Sequence, residues 1–520
     1  MPSVSSPPRR ALPVLILALT VFLSPAATPF PLGAQAAASA QPAEPGTQRW
    51  ESTHTVEVDG RTIEYTATVG SIVLRGEKDE PRAEIFYTAY RRTGVKDASR
   101  RPILFAYNGG PGSSSFWLHM GVMGPRRVST PTTEHADPPP YEIRSNPYTL
   151  LDRTDIVMVD PVGTGFSRPL GDTPGKEFWG VSEDARSLTQ FIQRFLSRYH
   201  RWNSPKYLLG ESYGTMRSAV LAGTLQRANI DLNGIVLVSA VLDLQTLIFS
   251  PGDDLPYVVN LPSYAATAWY HDALPGTRPP ALEPFLEEVE GFALGEYASA
   301  LLAGGRLDGE RRSRVLEKLH AYTGLSREFL DQADLRVTAP EFEKELLREQ
   351  GRVAGRLDAR FTGPTGDLLE RTPAQDPQSS AISGAYAAAW NTYLREELGY
   401  DGEREYVPSG NVRPWNWEFG QNVGFGQTGL TNVAPAFRRA LERNPKLKVL
   451  LVNGLYDLAT PYFAAVWTMD HMGLTPELRA NIRRVDFEAG HMMYVHEPSL
   501  PRWREALTAF IDETSGVGPG

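Results

Sequence analysis

One serine of this chain stands between two glycines in a context that favours nucleophilic chemistry. Ser212 lies in Gly-Glu-Ser-Tyr-Gly (residues 210–214), directly after the apolar run 206–209 and directly before a helix-like run at 215–228. A serine at a sharp strand-to-helix turn exposes its hydroxyl, and flanking glycines leave room for the neighbouring backbone. The pattern predicts a nucleophile elbow with Ser212 as the nucleophile.

A serine hydroxyl becomes a good nucleophile only when a base takes its proton and a carboxylate orients that base. Two candidates follow Ser212 in the chain. Asp457 ends a turn-rich stretch after the apolar run 447–452, and His491 follows Gly490 after the strand-like run 482–487. We predict His491 as the general base and Asp457 as the carboxylate that orients it. The order Ser, Asp, His is the one found in α/β-hydrolases.

Other histidines and acids compete for these two roles. His496 follows His491 by only five residues, and Asp470 and Asp486 lie near Asp457. Asp470 falls in a predicted helix and Asp486 within a predicted strand, whereas Asp457 occupies a loop at a strand end. The Gly-His turn likewise favours His491 over His496.

Acyl transfer also requires donors for a developing oxyanion. The backbone N–H of Tyr213, which follows the nucleophile, is the first predicted donor. The second is assigned to Gly110, in the loop Asn-Gly-Gly-Pro-Gly-Ser-Ser-Ser (108–115) that follows the strand-like run 102–107. Glycines let backbone amides in such a loop approach a ligand closely.

Five motifs in chain order together resemble the serine carboxypeptidases of peptidase family S10. They are 108–115, Asp-Pro-Val-Gly-Thr-Gly-Phe-Ser at 160–167, Gly-Glu-Ser-Tyr-Gly at 210–214, Asn-Gly-Leu-Tyr-Asp at 453–457 and Gly-His-Met at 490–492. The resemblance spans residues from about 103 to 498. It implies an α/β-hydrolase fold and the removal of single residues from peptide C-termini.

The resemblance also implies a site for the substrate's terminal carboxylate, formed by Asn108, Gly109 and Glu211. An ionised Glu211 would repel a carboxylate, whereas a protonated one can donate a hydrogen bond to it. Binding of peptides is therefore expected to improve in acid. The alternative is that Glu211 only satisfies backbone amides near the elbow.

Three positions depart from the family pattern. Ser113 stands where many members have cysteine, and Thr215 stands where many have glycine. Many members also carry a second glutamate that pairs with the first, and an ungapped count places Val122 at that position. A proton shared between two carboxyl groups is then absent, so a strongly acidic optimum is not expected.

Composition and the N-terminal segment indicate an exported bacterial enzyme, periplasmic or secreted. Residues 1–36 have the layout of a signal peptide, with Arg9 and Arg10, an apolar stretch at 11–23 and small residues near the expected cleavage at Ala36. An uncleaved membrane anchor is the less favoured alternative, so no stable membrane insertion is expected after cleavage. Cleavage would remove two arginines and no acids, changing the net charge from -9 to about -11.

This acidic charge argues against nucleic acid as a partner. The chain has no cysteine, which excludes disulfides, thiol catalysis and cysteine-ligated zinc. No metal-binding spacing is present, and the predicted triad needs no cofactor. Peptides are the expected partners, and the oligomeric state is left open.

The elements predict an α/β fold whose central, mostly parallel sheet is interrupted by a large, mainly helical cap. Strands are expected at 53–58, 61–69 and 83–90, and helices of the cap at 281–303, 309–322, 340–349 and 385–398. The predicted layout is a signal peptide at 1–36, a linker at 37–50, core at 51–250, cap at 251–430, core at 431–513 and a flexible tail at 514–520.

Three functions stay open on the sequence alone. The first is a serine carboxypeptidase that forms an acyl-enzyme. The second is an esterase or acyltransferase, because the same acyl-enzyme can form from an ester and pass to an alcohol. The third is a catalytically silent binding protein of the same fold.

Overall fold

The computed structural model describes residues 48–420, 422–423 and 427–517. The predicted signal peptide, most of the linker and the last three residues of the tail lie outside these ranges. Within the described residues, no helix combines the length and the apolar character that crossing a membrane requires.

The strands, in chain order, are β1 (Arg49–Val58), β2 (Arg61–Arg75), β3 (Pro81–Arg92), β4 (Ile103–Tyr107), β5 (Arg126–Val128), β6 (Ile143–Ser145), β7 (Asp155–Val159), β8 (Arg168–Pro169), β9 (Lys206–Glu211), β10 (Gly234–Val238), β11 (Arg352–Ala354), β12 (Thr362–Pro364), β13 (Asn422–Val423), β14 (Gln427–Thr428), β15 (Lys448–Gly454) and β16 (Ile482–Phe487).

The helices are α1 (Phe116–Leu118), α2 (Val181–Arg198), α3 (Tyr213–Arg227), α4 (Leu255–Tyr270), α5 (Leu282–Phe292), α6 (Ala298–Ala303), α7 (Gly309–Thr323), α8 (Arg327–Gln332), α9 (Ala339–Glu345), α10 (Pro377–Thr392), α11 (Ala434–Arg443), α12 (Tyr462–His471), α13 (Pro476–Arg479) and α14 (Leu500–Thr514).

A ten-stranded sheet organises the core, in the order β1-β2-β3-β7-β4-β9-β10-β15-β16, with β8 beside β3. The first strands pair antiparallel, and the six strands from β7 to β16 pair parallel. The carboxyl ends of the parallel strands therefore meet at one edge, where the loops after β4, β9, β15 and β16 carry the predicted site residues.

Alternating side chains along each central strand enter two separate apolar clusters, one on each face of the sheet. In β10, Val236 and Val238 pack on one face with α14, whereas Ile235 and Leu237 pack on the other with α2, α3 and α11. Burial on both faces explains why the central strands read as continuous apolar runs. The predicted α/β class with a mostly parallel sheet is confirmed.

Helices α4 to α9 form a third apolar cluster in the predicted cap region, and this cluster includes residues of the loop and helix that follow β15. Two details differ from the predicted elements. The helix expected from residue 385 begins at Pro377, because the Asp376 carboxylate caps it by accepting from Ser379 N at 2.7 Å. The sequence pattern also misses α4, since Pro262 lies inside this largely buried helix.

Candidate active site

Ser212 occupies a strained turn between β9 and α3. Its backbone has φ +60° and ψ -129°, a conformation that L residues rarely adopt, and its side chain is half-buried. Its N–H donates to Val238 O at 3.0 Å, which fastens the turn to the end of β10. The sharp turn presents the hydroxyl at the carboxyl edge of the sheet, beside the N-terminus of α3.

The two glycines of the elbow are required by close backbone packing. A Cβ atom on Gly210 would collide with the carbonyl of Gly214, and one on Gly214 would lie 3.1 Å from Tyr107 O. The Gly-x-Ser-x-Gly spacing thus lets α3 cross tightly over the strand that precedes it.

Asp457 and His491 are joined by a hydrogen bond of 2.7 Å between Oδ2 and Nδ1. Both side chains are buried, and they come from the loops after β15 and β16. Because an ionised carboxylate only accepts hydrogen bonds, the proton lies on Nδ1 and the lone pair on Nε2. This tautomer is the one a general base needs.

Thr460 is a site residue that the sequence analysis missed. Its Oγ1 donates to Asp457 Oδ2 at 2.7 Å and lies 3.0 Å from His491 Nδ1. The N–H groups of Ala459 and Thr460 donate to Asp457 Oδ1 at 2.8 and 2.9 Å. Such a turn, in which an aspartate accepts from backbone two and three residues ahead, was a detectable sequence signal in Asp-Leu-Ala-Thr.

Ser239, directly after β10, ties the nucleophile's neighbourhood to the histidine loop. Its N–H donates to Val452 O at 2.8 Å and its hydroxyl donates to His491 O at 2.7 Å. With the bond from Ser212 N to Val238 O, these contacts connect the carboxyl ends of β9, β10 and β15 with the loop after β16.

The loop after β4 packs directly on the elbow. The position of a Cβ on Gly109 lies 2.5 Å from Tyr213 N and 2.7 Å from Gly214 N, so only glycine fits there. The next residue, Gly110, has φ +102° and is exposed. The structure therefore brings the two predicted oxyanion donors, Gly110 and Tyr213, onto adjoining segments.

Glu211 is buried immediately before the nucleophile, and its Oε1 accepts from Asn108 Nδ2 at 2.7 Å. Asn108 is held in turn, because its Oδ1 accepts from Leu118 N at 3.0 Å and its carbonyl accepts from Arg217 Nη1 at 2.6 Å. Burial raises the pKa of Glu211 to about 7, with His491 and nearby donors opposing the rise. Glu211 can thus carry a proton near neutral pH.

The pKa of His491 is raised from its ordinary value. Burial alone would lower this pKa, but the charge and hydrogen bond of Asp457 outweigh burial, and Glu211 adds to their effect. Since Glu211 and His491 influence each other, their protons are lost as a coupled pair.

The rival residues have other partners. His496 Nδ1 contacts Ser499 Oγ at 2.7 Å, Asp470 pairs with Arg479, and Asp486 accepts from Asn453 Nδ2 at 2.9 Å. Asp470 lies in α12 and Asp486 in β16, as predicted. In the described structure, His491 is bonded to Asp457 rather than to either rival acid.

Residues 355–361, in the predicted cap region, contact the loop of Asp457 and the loop of His491 through backbone hydrogen bonds. His491 N donates to Leu357 O at 2.6 Å, Leu458 N to Arg356 O at 3.0 Å and Ala359 N to Tyr456 O at 3.0 Å. We call this segment the cap clasp. It holds the loop of Asp457 and the loop of His491 against each other.

A buried ion pair stiffens the cap clasp. Asp358 Oδ2 pairs with Arg360 Nη2 at 2.7 Å, and both side chains are almost fully buried. Asp358 Oδ2 also accepts from Gly490 N at 3.2 Å, and Arg360 Nη1 donates to Glu488 O at 2.9 Å. Through these contacts, Asp358 and Arg360 hold the residues just before His491 in place.

The positions that depart from the family pattern also have local explanations. The Thr215 hydroxyl donates to Ser212 O at 2.7 Å and accepts from Val241 N at 2.9 Å, which fastens the elbow. The Ser113 hydroxyl donates to Ser114 O at 3.0 Å. Val122 is fully buried in the apolar cluster and supplies no titratable group.

No group of three or more histidine, aspartate and glutamate side chains arranged to hold a metal ion occurs among the described residues.

Part of the chain matches a known family. Residues 74–257 match the family model described as serine carboxypeptidase, Peptidase_S10. This range includes Asn108, Glu211 and Ser212 but neither Asp457 nor His491.

Curated relatives are similar over a limited length. Serine carboxypeptidase-like 34 from Arabidopsis thaliana is 27% identical over 176 residues, which cover 31% of this chain and 33% of that protein. The pheromone-processing carboxypeptidase KEX1 from Saccharomyces cerevisiae is 28% identical over 138 residues, covering 25% of this chain and 18% of that protein. The chain thus matches about a third or less of the length of these relatives.

The similarity in structure extends further along the chain. The crystal structure of Kex1(delta)p, a prohormone-processing carboxypeptidase from Saccharomyces cerevisiae, covers 87% of this chain and 91% of its own, with a TM-score of 0.51 and 16% sequence identity. At this identity the likeness establishes the fold. The predicted α/β-hydrolase fold is confirmed.

Proposed function

We propose that this protein is a serine-type carboxypeptidase that hydrolyses the C-terminal peptide bond of peptides through an acyl-enzyme. The observation that carries the proposal is Glu211, a buried acid with a raised pKa that directly precedes Ser212 and is hydrogen-bonded to Asn108. A group that can donate a proton to a carboxylate, next to a nucleophile, suits a peptide substrate that ends in a free carboxylate.

In the proposed reaction, the Ser212 hydroxyl attacks the carbonyl of the last peptide bond while His491 Nε2 accepts its proton. Asp457 and Thr460 hold the imidazole, and the N–H groups of Gly110 and Tyr213 stabilise the oxyanion. His491 then donates the proton to the departing amine, which leaves as a free amino acid. Water, deprotonated by His491, hydrolyses the acyl-enzyme and restores Ser212.

The substrate's terminal carboxylate is proposed to bind Asn108, the Gly109 amide and protonated Glu211. The fixed distance between this site and Ser212 would select the last peptide bond and exclude internal ones. The family match over 74–257 supports this assignment, because it includes these carboxylate-binding candidates and the nucleophile.

We further propose that the protein is exported. The signal-like composition of residues 1–36 supports this location.

The decisive experiment compares amino-acid release from N-blocked dipeptides and from their C-terminal amides, between about pH 4 and 8, for the wild type and Ser212→Ala. We expect release that requires both the free carboxylate and Ser212. Ester cleavage without release of amino acids would instead assign an esterase or acyltransferase. Failure of folded protein to react with a phosphonylating reagent at Ser212 would indicate a silent binding protein.

A further inference from the structure

Among the buried polar atoms of the described residues that have no hydrogen-bond partner, two belong to side chains that influence each other near the proposed nucleophile. One is Oε2 of Glu211, whose other oxygen accepts from Asn108. The second is the hydroxyl of Tyr494, a side chain that is only 1% exposed. A buried polar group without a hydrogen-bond partner costs folding free energy, so two such groups at one site indicate a functional role.

The two atoms belong to neighbouring side chains. The Tyr494 hydroxyl lies near enough to Glu211 to lower the pKa of the carboxyl group, and the charge of Glu211 raises the pKa of the Tyr494 phenol, although no hydrogen bond joins the two side chains in the structure. The Tyr494 ring lies against Gly121, where a Cβ atom would collide with it. Gly121 adjoins Val122, the position at which the family pattern has its second glutamate.

We propose that the Tyr494 hydroxyl is the hydrogen-bond partner of Glu211 in the substrate-carboxylate site. The interacting pair at this site would then be a carboxyl group and a phenol instead of two carboxyl groups. This inference rests on the proposed function and names a further residue that positions Glu211. Tyr494 lies three residues after His491, so one loop supplies both the base and the partner of the recognition acid.

A phenol differs from a carboxyl group because it keeps its proton. Burial raises the pKa of Tyr494 well above its ordinary value, so this hydroxyl stays neutral throughout the working range. Glu211 is then the only group of the pair that titrates. Substrate binding should follow a single proton and persist to about neutral pH.

Several other groups face this pair. His491 lowers and Asp457 raises the pKa of Glu211, while Tyr386 is a second buried phenol that senses the charge of Glu211. Arg127 acts on Tyr386, and Arg356 acts on His491. None of them offers Glu211 the hydrogen bond that Tyr494 is proposed to donate, and removing the Tyr494 hydroxyl should raise the pKa of Glu211.

The test measures ligand binding rather than turnover. In the Ser212→Ala protein, N-acetyl-phenylalanine, N-acetyl-leucine and N-acetyl-lysine are titrated calorimetrically from pH 5 to 9 in buffers of different ionisation enthalpy, with their amides as controls. We expect uptake of one proton per bound carboxylate at alkaline pH. Tyr494→Phe should move the midpoint of this uptake upward by about one pH unit, since it removes a donor to the ionised acid.

Tyr386→Phe is the matched control, because it removes the same hydroxyl from a neighbouring buried ring without removing a hydrogen bond to Glu211. The midpoint of proton uptake in the Tyr386→Phe variant should equal that of the Ser212→Ala protein. If Tyr494→Phe does not fold, 3,5-difluorotyrosine at position 494 keeps the ring and gives a stronger donor, so the midpoint should move downward.

An unchanged midpoint in both Tyr494 variants would overturn the inference, while carboxylate-dependent binding would still support the proposed function. Equal binding of acids and amides, with no proton uptake in any variant, would overturn the proposed function and this inference with it.

Discussion

In the proposed mechanism, two groups of the candidate site must be uncharged at the same time for a peptide with a free C-terminus to react. His491 must lack its proton to act as a base, although its contacts with Asp457 raise its pKa. Glu211 must keep its proton to donate to a carboxylate, and burial raises its pKa to about 7. Protonation of His491 should therefore limit peptide hydrolysis at acidic pH, and ionisation of Glu211 should limit it at alkaline pH.

This arrangement predicts different pH profiles for two substrate types. For an N-blocked peptide acid, kcat/KM should rise as His491 loses its proton and fall above about pH 7, approaching tenfold per pH unit, as Glu211 ionises. For the corresponding ester, which has no terminal carboxylate, the alkaline fall should be absent. Initial rates from pH 4 to 9 measure both. Glu211→Gln, a neutral donor, should remove the alkaline fall for the acid; parallel falls for acid and ester would contradict this role.

A second prediction at the residue scale concerns Thr460. Thr460→Val removes the hydroxyl that contacts both Asp457 and His491, so kcat should fall about tenfold or more with little change in KM. Thr468→Val is the control, because the Thr468 hydroxyl is also buried in this region but donates only to the Ala464 carbonyl of α12. Steady-state kinetics distinguish the two variants. Equal kcat values for the two variants would show that the Thr460 hydroxyl does not contribute to catalysis.

At the scale of elements, the cap clasp connects the helical insertion to the catalytic loops. Its contacts to Leu458, Tyr456 and His491 are backbone hydrogen bonds, so the geometry of the loops depends on the conformation of the cap segment. The buried pair of Asp358 and Arg360 fixes that conformation. A displacement of the cap would therefore change the position of His491 directly.

Breaking this pair should affect both stability and catalysis. Arg360→Met leaves Asp358 buried without its partner, which should cost about 3–5 kcal/mol of unfolding free energy, and kcat per phosphonylated serine should fall at temperatures where the protein remains folded. Arg101→Met is the comparison, because Arg101 makes a similarly buried pair with Asp155 at the opposite edge of the sheet. It should lower the melting temperature and leave kcat unchanged. Proportional losses of kcat in both variants would assign the cap clasp a purely structural role.

At the scale of the whole molecule, buried acids with raised pKa values make stability depend on pH. Burial raises the pKa of Asp160 to about 7, that of Glu211 to about 7 and that of Glu343 to about 8. Folding favours the protonated form of each. Their contribution is complete below the ordinary pKa of an acid and is lost as the pH rises through the folded pKa.

The melting temperature should therefore decrease from about pH 4 to about pH 8, with a loss of several kcal/mol in unfolding free energy when the three groups are combined. Calorimetric scans across this range give the measurement. Glu343→Gln, remote from the catalytic residues in sequence, should flatten the decrease without altering the pH profile of kcat. A melting temperature that rises over this interval would show that these carboxyls ionise without cost.

Features that are encoded within a few residues could be predicted from the amino-acid sequence alone. The elbow at Ser212, the alternation of strands and helices, and the loops that carry Asp457 and His491 follow from short apolar runs bounded by glycines, because strand, turn and helix geometry is local. The start of the helix at Pro377 was not predicted in this way, because it depends on an aspartate cap rather than on apolar periodicity.

The identity of the distant residues that support the candidate site depends on tertiary packing and could not be predicted. Thr460, the pair of Asp358 and Arg360, and Tyr494 beside Glu211 are brought together by the packing of the cap and of the loops at the sheet edge. No periodic sequence pattern predicts such contacts, because they join segments as far apart in the chain as Glu211 and Tyr494. Local motifs therefore carry the proposed chemistry, whereas the proposed control of protonation depends on the fold.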